Sequence, residues 1–459
     1  MPRTEPARGM RDLLPEDVRR REYVIGIIKN VYERYGFEPL ETPAVENIET
    51  LLGKYGEEGN KLIFKILKRG EHEASGQADL ALRYDLTVPL ARVIAEHRAT
   101  LPRLFKRYQI QPVWRAERPA RGRFREFYQC DVDSLGSTAP TVEAELCAAV
   151  SDALIDLGFK DFVIRINHRQ LLTGVLESAG VAAGLHGDAL VALDKLDRIG
   201  TDGVAQELSE RGVDECSSSA LLSFFAACGA NPPGSPGGPD QARPATALDR
   251  IAEFIGNHSS GRSAVENLRG IVSLASGTSA AERIQVDPSL ARGLSYYTGA
   301  IMEVNVADLP GSLGGGGRYD NLVGMFSGES IHACGFSLGL ERILVVMTER
   351  GMFPRTLTMA PADVLVSVFV AEHAGHALRV ADELRKADLK VMVYPDADKI
   401  GKQIKYASSR GIPCVAILGA DEIARGQVAV KYLATGQQEV YAQSEAGGSV
   451  KRMLGAVRG

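Results

Sequence analysis

Eight cationic side chains crowd residues 102–129: Arg103, Lys106, Arg107, Arg115, Arg118, Arg121, Arg123 and Arg125. They fall on two strand-like runs joined by a glycine-containing loop, RPARGR at 118–123. A guanidinium is a planar fork that meets phosphate oxygens two at a time, so such a hairpin could present several forks to one polyphosphate. A solvated charged hairpin would have the same composition. A second segment, ARGLSYYTGAIMEV at 291–304, places one arginine and two tyrosines ahead of an alternating strand. Tyrosine joins an apolar ring to a hydrogen-bonding tip, which suits a pocket for a flat polar group and equally suits a core ring with its hydroxyl at the rim. The third segment pairs GSLGGGGRYDNLVG at 311–324 with GFSLGLER at 335–342. Consecutive glycines let backbone approach a ligand closely. No Lys-Ser/Thr follows them and no G-x-G-x-x-G occurs, so neither common phosphate-loop signature is present, and taken alone the glycine run reads as a flexible turn.

These segments need elements to hold them. A helix starts near Pro15, with acids around the positive end of its dipole, and Val24, Ile27, Ile28 and Val31 share one face before Gly36. Strand-like runs follow at LALRYDLT, PVWRAE, EFYQCDVDSLG, FVIRIN, AIMEVNV and ACGFSLGL, without a helix after each. That order predicts an α+β domain around a mostly antiparallel sheet, because parallel neighbours need crossover helices. Residues 168–280 turn helix-rich and contain a Pro- and Gly-dense loop at 229–244, then the strand pattern resumes at Ile284. The predicted layout is therefore a discontinuous domain at 1–167 and 281–350, a helical insertion at 168–280 and a linker at 351–361. Alternating strands and helices at 362–459 predict a small α/β domain with a largely parallel sheet.

Composition narrows the function classes. A chain of 459 residues exceeds what one core supports, and 45% hydrophobic with 24% charged residues is ordinary for soluble globular proteins. The N-terminus lacks the apolar core of a signal peptide, and no run approaches about 18 apolar residues, so a cytoplasmic protein with no membrane partner is expected. Six cysteines stand apart with no C-x-x-C pair, so no structural metal site is expected. A formal net charge of −5 argues against a protein that coats nucleic acid while leaving local basic patches open.

Taken in order, VWRAE at 113–117, the arginine loop and FYQCDVD at 127–133 resemble motif 2 of the class II aminoacyl-tRNA synthetases. GFSLGLER is similar to motif 3, and YGFEPLETP at 35–43 to the motif 1 region with its proline. RYDLT at 83–87, ARGLSYYTG at 291–299 and GGGRYD at 315–320 are similar to the histidyl-tRNA synthetases in particular. The resemblance implies a class II catalytic domain with an antiparallel sheet, a helical insertion and a C-terminal α/β anticodon-binding domain. It implies a homodimer with its contact near Pro43, the substrates L-histidine, ATP and tRNA(His), and Mg²⁺ accompanying ATP.

Carried over residue by residue, the resemblance assigns Asp85, Thr87 and Gln129 to the histidine α-amino group and Asp133 and Tyr297 to its imidazole, with Tyr296 as a further pocket wall. Arg115 would hold the α-phosphate and the substrate carboxylate, Arg123 the γ-phosphate and Glu117 the adenine region, with Phe127 and Arg342 sandwiching the purine. Arg292 would stabilise charge growing on the reacting oxygens, a role in which only interactions stronger in the transition state accelerate the step. Arg118 to Arg123 would approach the tRNA acceptor end. Two departures stand out: Ser295 where the family usually has Asp, and Asp85 and Asp133 where many bacterial members have the longer Glu.

HAGH at 373–376 echoes a class I synthetase signature, but it sits in the last hundred residues with no later lysine-rich loop, so it is read as coincidence on a helix start. Two rival functions remain. One is a non-catalytic, histidine-sensing regulatory paralogue of ATP phosphoribosyltransferase, whose kind lacks the anticodon-binding domain and drifts at ATP-contacting arginines. The other is a nucleic-acid-binding module without chemistry, for which Lys399, Lys402, Lys405 and Arg410 offer phosphate contacts or merely a solvated helix face.

Overall fold

The computed structural model describes residues 4–458 apart from 71–74, 229–243, 292–295, 355–356 and 358–359. Arg292, Ser295 and nearly all of the Pro- and Gly-dense loop thus lie outside the described residues. The chain divides into two compact units, Met1–Met352 and Phe353–Gly459.

In the first unit, the Pro15–Arg34 helix opens on its proline with Glu16 and Asp17 in the first turn. It buries Val24, Ile28, Val31 and Tyr32 completely, while Ile27 sits at the margin of the stripe. Those side chains lie on one face of an eight-stranded sheet. Its strand order is Glu38–Pro39, Phe105–Trp114, Glu126–Leu135, Ala333–Gly339, Gly314–Arg318, Ala300–Asn305, Val163–His168 and Ile284–Val286. The six central strands are antiparallel, and only the two short edge strands pair in parallel. The Thr141–Asp156 helix packs between this sheet, the Pro15–Arg34 helix and the Ser259–Ala275 helix, which is why it is buried on most of its circumference.

Alternation divides the sheet into two chemistries. Cys130, Val132, Phe336 and Leu338 are buried apolar positions, and Met302 meets Cys147 of the covering helix at 3.5 Å. The intervening positions, Gln129, Asp131, Asp133, Gly335, Ser337, Gly315 and Gly317, carry polar groups or no side chain. They face the other way.

Two sequence readings change here. LALRYDLT is not one strand: pairing ends at Leu82, and Thr87 already begins the Thr87–Glu96 helix. The glycine run is not a flexible turn but the Gly314–Arg318 strand in the middle of the sheet, bonded to neighbours on both sides. A glycine inside a strand costs about 0.5–1 kcal/mol relative to alanine, so something must require it. At Gly317 a Cβ would stand 3.0 Å from the Tyr297 ring, and across the pairing at Gly335 it would fall 1.8 Å from Asp133 Oδ1. The missing side chains are the space those two groups occupy.

Between the Val163–His168 and Ile284–Val286 strands the described residues form six helices, Arg169–Ser178, His186–Leu193, Leu196–Glu210, Glu215–Ala227, Pro244–Ile255 and Ser259–Ala275. In the second unit a five-stranded sheet runs in the order Val391–Val393, Val364–Val366, Cys414–Ile417, Gln427–Tyr432, Gln438–Ala442. Only the first three strands are parallel, and the last two fold back antiparallel. The sheet is mixed rather than largely parallel because Gln427–Ala442 closes as a hairpin, with no crossover helix. The HAGH histidines straddle a short 3-10 turn and the start of the Ala374–Lys386 helix, where Arg379 donates to His376 Nδ1 at 2.9 Å.

Gly335→Ala is the sharpest test of the glycine argument. Forcing a methyl into the Asp133 carboxylate is overpacking, expected to destabilise the first unit by about 1–3 kcal/mol, read as an earlier denaturant transition.

Candidate active site

Between the end of the Ala78–Leu82 strand and the Thr87–Glu96 helix the chain turns through Asp85, whose side chain is almost fully buried. Oδ1 accepts from the Val88 amide at 3.1 Å and from the Tyr55 hydroxyl at 3.0 Å, and Oδ2 accepts from the Tyr296 hydroxyl at 3.0 Å. Burial raises the pKa of this carboxyl, against the Val88 amide, the Arg115 charge and the two phenols. An ionised Asp85 is therefore oriented by neutral donors and has no ion pair among the described residues, and an ammonium group brought by a ligand would supply one.

Antiparallel register lays the floor. Gln129 pairs opposite Gly339, Asp131 opposite Ser337 and Asp133 opposite Gly335. Gln129 Nε2 donates to Ser337 Oγ at 2.8 Å, while its Oε1 is buried with no hydrogen-bond partner among the described residues. An orphaned acceptor costs free energy until a donor arrives. Deeper in, Arg107 is fully buried with Nη2 2.8 Å from Asp133 Oδ2 and 3.9 Å from Asp131 Oδ2. Tyr319 donates its hydroxyl to Asp133 Oδ1. Burial pushes both aspartates up in pKa and the Arg107 charge pulls them back.

At the other end, Arg115 leaves the last residue of the Phe105–Trp114 strand and is clamped on three sides. Its Nε donates to Tyr84 O at 3.0 Å, and its guanidinium lies 4.3 Å from the Tyr84 ring centre and 5.1 Å from that of Phe127. Arg123 is paired with Glu117, and Arg342 Nη1 donates to Ser312 O.

One cavity of about 480 Å³, within the roughly 300–1,000 Å³ typical of small-molecule sites, is lined by Asp85, Thr87, Gln129, Tyr296 and Tyr297 at one end. Arg115, Glu117, Arg123, Phe127 and Arg342 line the other. Ten of the twelve residues singled out in the sequence thus share one space. Asp133 is not among the lining residues: its carboxylate is engaged by Arg107 and Tyr319. Arg292 lies outside the described residues.

The arginine hairpin also disperses. Only Arg115 and Arg123 line the cavity. Arg107 is under the floor, Lys106 bonds Tyr35 O and Glu145, Arg121 is held by Glu349, and Arg125 Nε is spent on Glu117 O at 3.0 Å. Sequence reasoning missed Glu303, Ser337, Phe124 and Glu341, all lining residues. The first two could have been found by alternation from Ile301 and Gln129. Glu303 accepts from Asn305 Nδ2 at 3.0 Å, and burial pushes Glu341 up to about 7.

The chain is similar to known proteins over almost its whole length. The family model for histidyl-tRNA synthetase matches residues 9–343, and that for the anticodon binding domain matches residues 363–453. The chain is 40% identical over 450 residues to a histidine–tRNA ligase of Porphyromonas gingivalis, covering 94% of this chain and 96% of the relative. It is 41% identical over 471 residues to that of Gloeobacter violaceus, with 96% of each chain covered. The crystal structure of a histidyl-tRNA synthetase from Nostoc superposes with a TM-score of 0.80 at 31% identity, covering 99% of this chain and 100% of that one.

Asp133→Asn would strip the close counter-charge from a buried guanidinium. Breaking such a pair costs about 3 kcal/mol or more, so the variant is expected to unfold at clearly lower denaturant than the parent.

Proposed function

The chain belongs to the histidyl-tRNA synthetase family, and from that premise we propose how its residues divide the reaction between them. The activity is that of an aminoacyl-tRNA ligase. A carboxylate oxygen of L-histidine attacks the α-phosphorus of ATP, the bond to the β-phosphate oxygen breaks, and pyrophosphate leaves. A terminal ribose hydroxyl of tRNA(His) then attacks the activated carbonyl and AMP departs. Full-length relatives of this activity and a matched anticodon-binding domain favour this reading over the regulatory paralogue.

The α-amino group is taken by Asp85, Thr87 and Gln129. What supports this is the buried Asp85 carboxylate with no ion pair among the described residues and Gln129 Oε1, which lacks a hydrogen-bond partner among them. Tyr296 fixes Asp85 in place, and Tyr297 takes the imidazole edge, with Asp133 bracing the floor through Arg107 and Tyr319 rather than touching substrate. Arg115 meets the α-phosphate and the substrate carboxylate, and its three-sided clamp means little reorganisation is needed as charge develops. Phe127 and Arg342 enclose the purine next to Glu117, and Arg123 exchanges Glu117 for the γ-phosphate. Arg292 stabilises the negative charge on the reacting oxygens. No covalent nucleophile is needed, and catalysis is positioning with charge stabilisation.

Mg²⁺ would accompany ATP and pyrophosphate on their phosphate oxygens, since the described residues offer it no cluster of three carboxylate, histidine or cysteine ligands. We assign the homodimer contact to the neighbourhood of Pro43, where the Arg83 guanidinium bonds Thr42 O at 2.6 Å and Pro43 O at 3.2 Å and holds the strand edge rigid. Arg118, exposed on the loop, suits the tRNA acceptor end, and Lys399, Lys405 and Arg410 suit its backbone elsewhere. Lys402 is already paired with Asp398 at 3.0 Å. We place the reaction in the cytoplasm as part of the same proposal; separately, among the described residues no helix is long and apolar enough to cross a membrane.

The shared cavity, with amine-seeking groups at one end and phosphate-seeking groups at the other, is the observation that carries this reading. Purified protein should exchange labelled pyrophosphate into ATP with histidine and with no other amino acid. Histidine binding without exchange would return the regulatory reading. Arg292→Ala should abolish exchange while the protein stays folded, and exchange near the parental rate would remove Arg292 from its role.

A further inference from the structure

We infer that Arg11 is a positioning residue for the ATP end of the cavity, holding the arginine loop against the Leu340–Glu349 helix through Phe124 and Glu341. The inference rests on the nucleotide assignment above.

Residues 7–10 form a turn closed by the Met10 amide donating to Ala7 O at 2.9 Å. Gly9 O accepts from the Arg125 amide at 2.8 Å, and Arg125 O accepts from the Arg115 amide at 2.9 Å. The N-terminal segment is therefore bonded through Arg125 across the loop hairpin to Arg115, the residue that follows the Phe105–Trp114 strand. Gly9 has φ +83°, and a Cβ there would stand 2.8 Å from both Pro119 and Arg125, so the segment lies flush on the loop. Arg125 Nη1 reaches back to Arg8 O at 3.4 Å.

Arg11 completes the contact. Its guanidinium carbon lies 3.4 Å from the centre of the Phe124 ring, and its Nη2 lies 3.9 Å from Glu341 Oε1. The other Glu341 oxygen accepts from the Tyr128 amide at 2.9 Å, beside Phe127. Phe124, Phe127 and Glu341 all line the cavity, whereas Arg11 does not. One half-exposed cation thus bridges the loop that meets phosphate and the helix that carries Arg342. A partly solvated stack of this kind adds little to global stability. A small displacement of a phosphate-binding loop, by contrast, changes nucleotide affinity and rate disproportionately.

The test is histidine-dependent pyrophosphate exchange and direct ATP titration with the parent, Arg11→Ala and Arg11→Lys. Arg11→Ala is expected to weaken ATP, in KM and in the titration, by about three- to tenfold, with the histidine KM within about twofold of the parent and an unchanged unfolding midpoint. Arg11→Lys, which keeps the charge over the ring, should recover part of the loss. Parental ATP affinity in Arg11→Ala would overturn the inference, and so would a rise in both KM values together with earlier unfolding, which is the mark of a general structural role. A parent that exchanges no pyrophosphate would sink the functional reading itself, an outcome separate from these.

Discussion

A guanidinium with no solvent contact sits at the centre of the catalytic unit, and the surrounding segments are arranged around its needs. Isolated charge in a protein interior is prohibitively costly, so Arg107 persists only because several groups meet it at once. Asp133 and Asp131 come from the neighbouring strand, Gln109 from two residues along its own, and Leu86 O from the turn that carries Asp85 and Thr87. Asp133 in turn accepts from Tyr319, at the end of the glycine strand. One charge therefore fixes the mutual placement of the segment that carries Asp85 and Thr87, the strand that supplies Gln129, and the strand whose bare surface leaves room above. The network is buried, and Arg107 Nε, Asp131 Oδ1 and, its ion pair aside, Asp133 Oδ2 have no hydrogen-bond partner among the described residues, so its burial is costly. Its members gain specificity of arrangement at the expense of raw stability.

The sheet serves two incompatible environments by alternation alone. One set of positions is a hydrocarbon surface under helices, and the set between them is polar or bare under a ligand cavity. Cavity-lining groups such as Gln129 and Ser337 are thereby mounted on the most rigid element available, while the loop that carries Arg123 is mounted at its end. Aromatic rings mediate between the two: Tyr55, Tyr84, Tyr296 and Phe127 each give an apolar surface to the packing and a hydroxyl or ring face to a charged group.

Much of this was legible in the sequence, and the exceptions share a cause. The layout, the long helix and most strands followed from periodicity, because each of those elements buries a patterned face. The glycine strand has no side chains to pattern, and its membership of the sheet comes from bonding on both sides. RYDLT joined the preceding strand in the reading because its apolar residues alternate, whereas Asp85 bonding the Val88 amide starts a helix there instead. Alternation along the strand sets Gln129, Asp131 and Asp133 on one face, but nothing in the pattern tells that the cavity is lined by the first and not by the other two. The arginines crowd in sequence yet separate in space: Arg103 and Arg115 stand twelve residues apart, about 40 Å along an extended chain. Arg103 accordingly lines a different cleft with Pro102 and His332.

The pairing of Arg123 with Glu117 and the tether of Arg342 to Ser312 O bear on which anions the site ignores. A cleft of bare cations would collect phosphate, sulfate and pyrophosphate indiscriminately, since each would gain the same attraction. At Arg123 an anion must first displace an internal carboxylate, and a small ion offers little to offset that exchange. A ligand that also lays a flat ring against Phe127 offers more. The Arg123 end of the cavity thus favours a molecule carrying both halves of the nucleotide over a small inorganic anion.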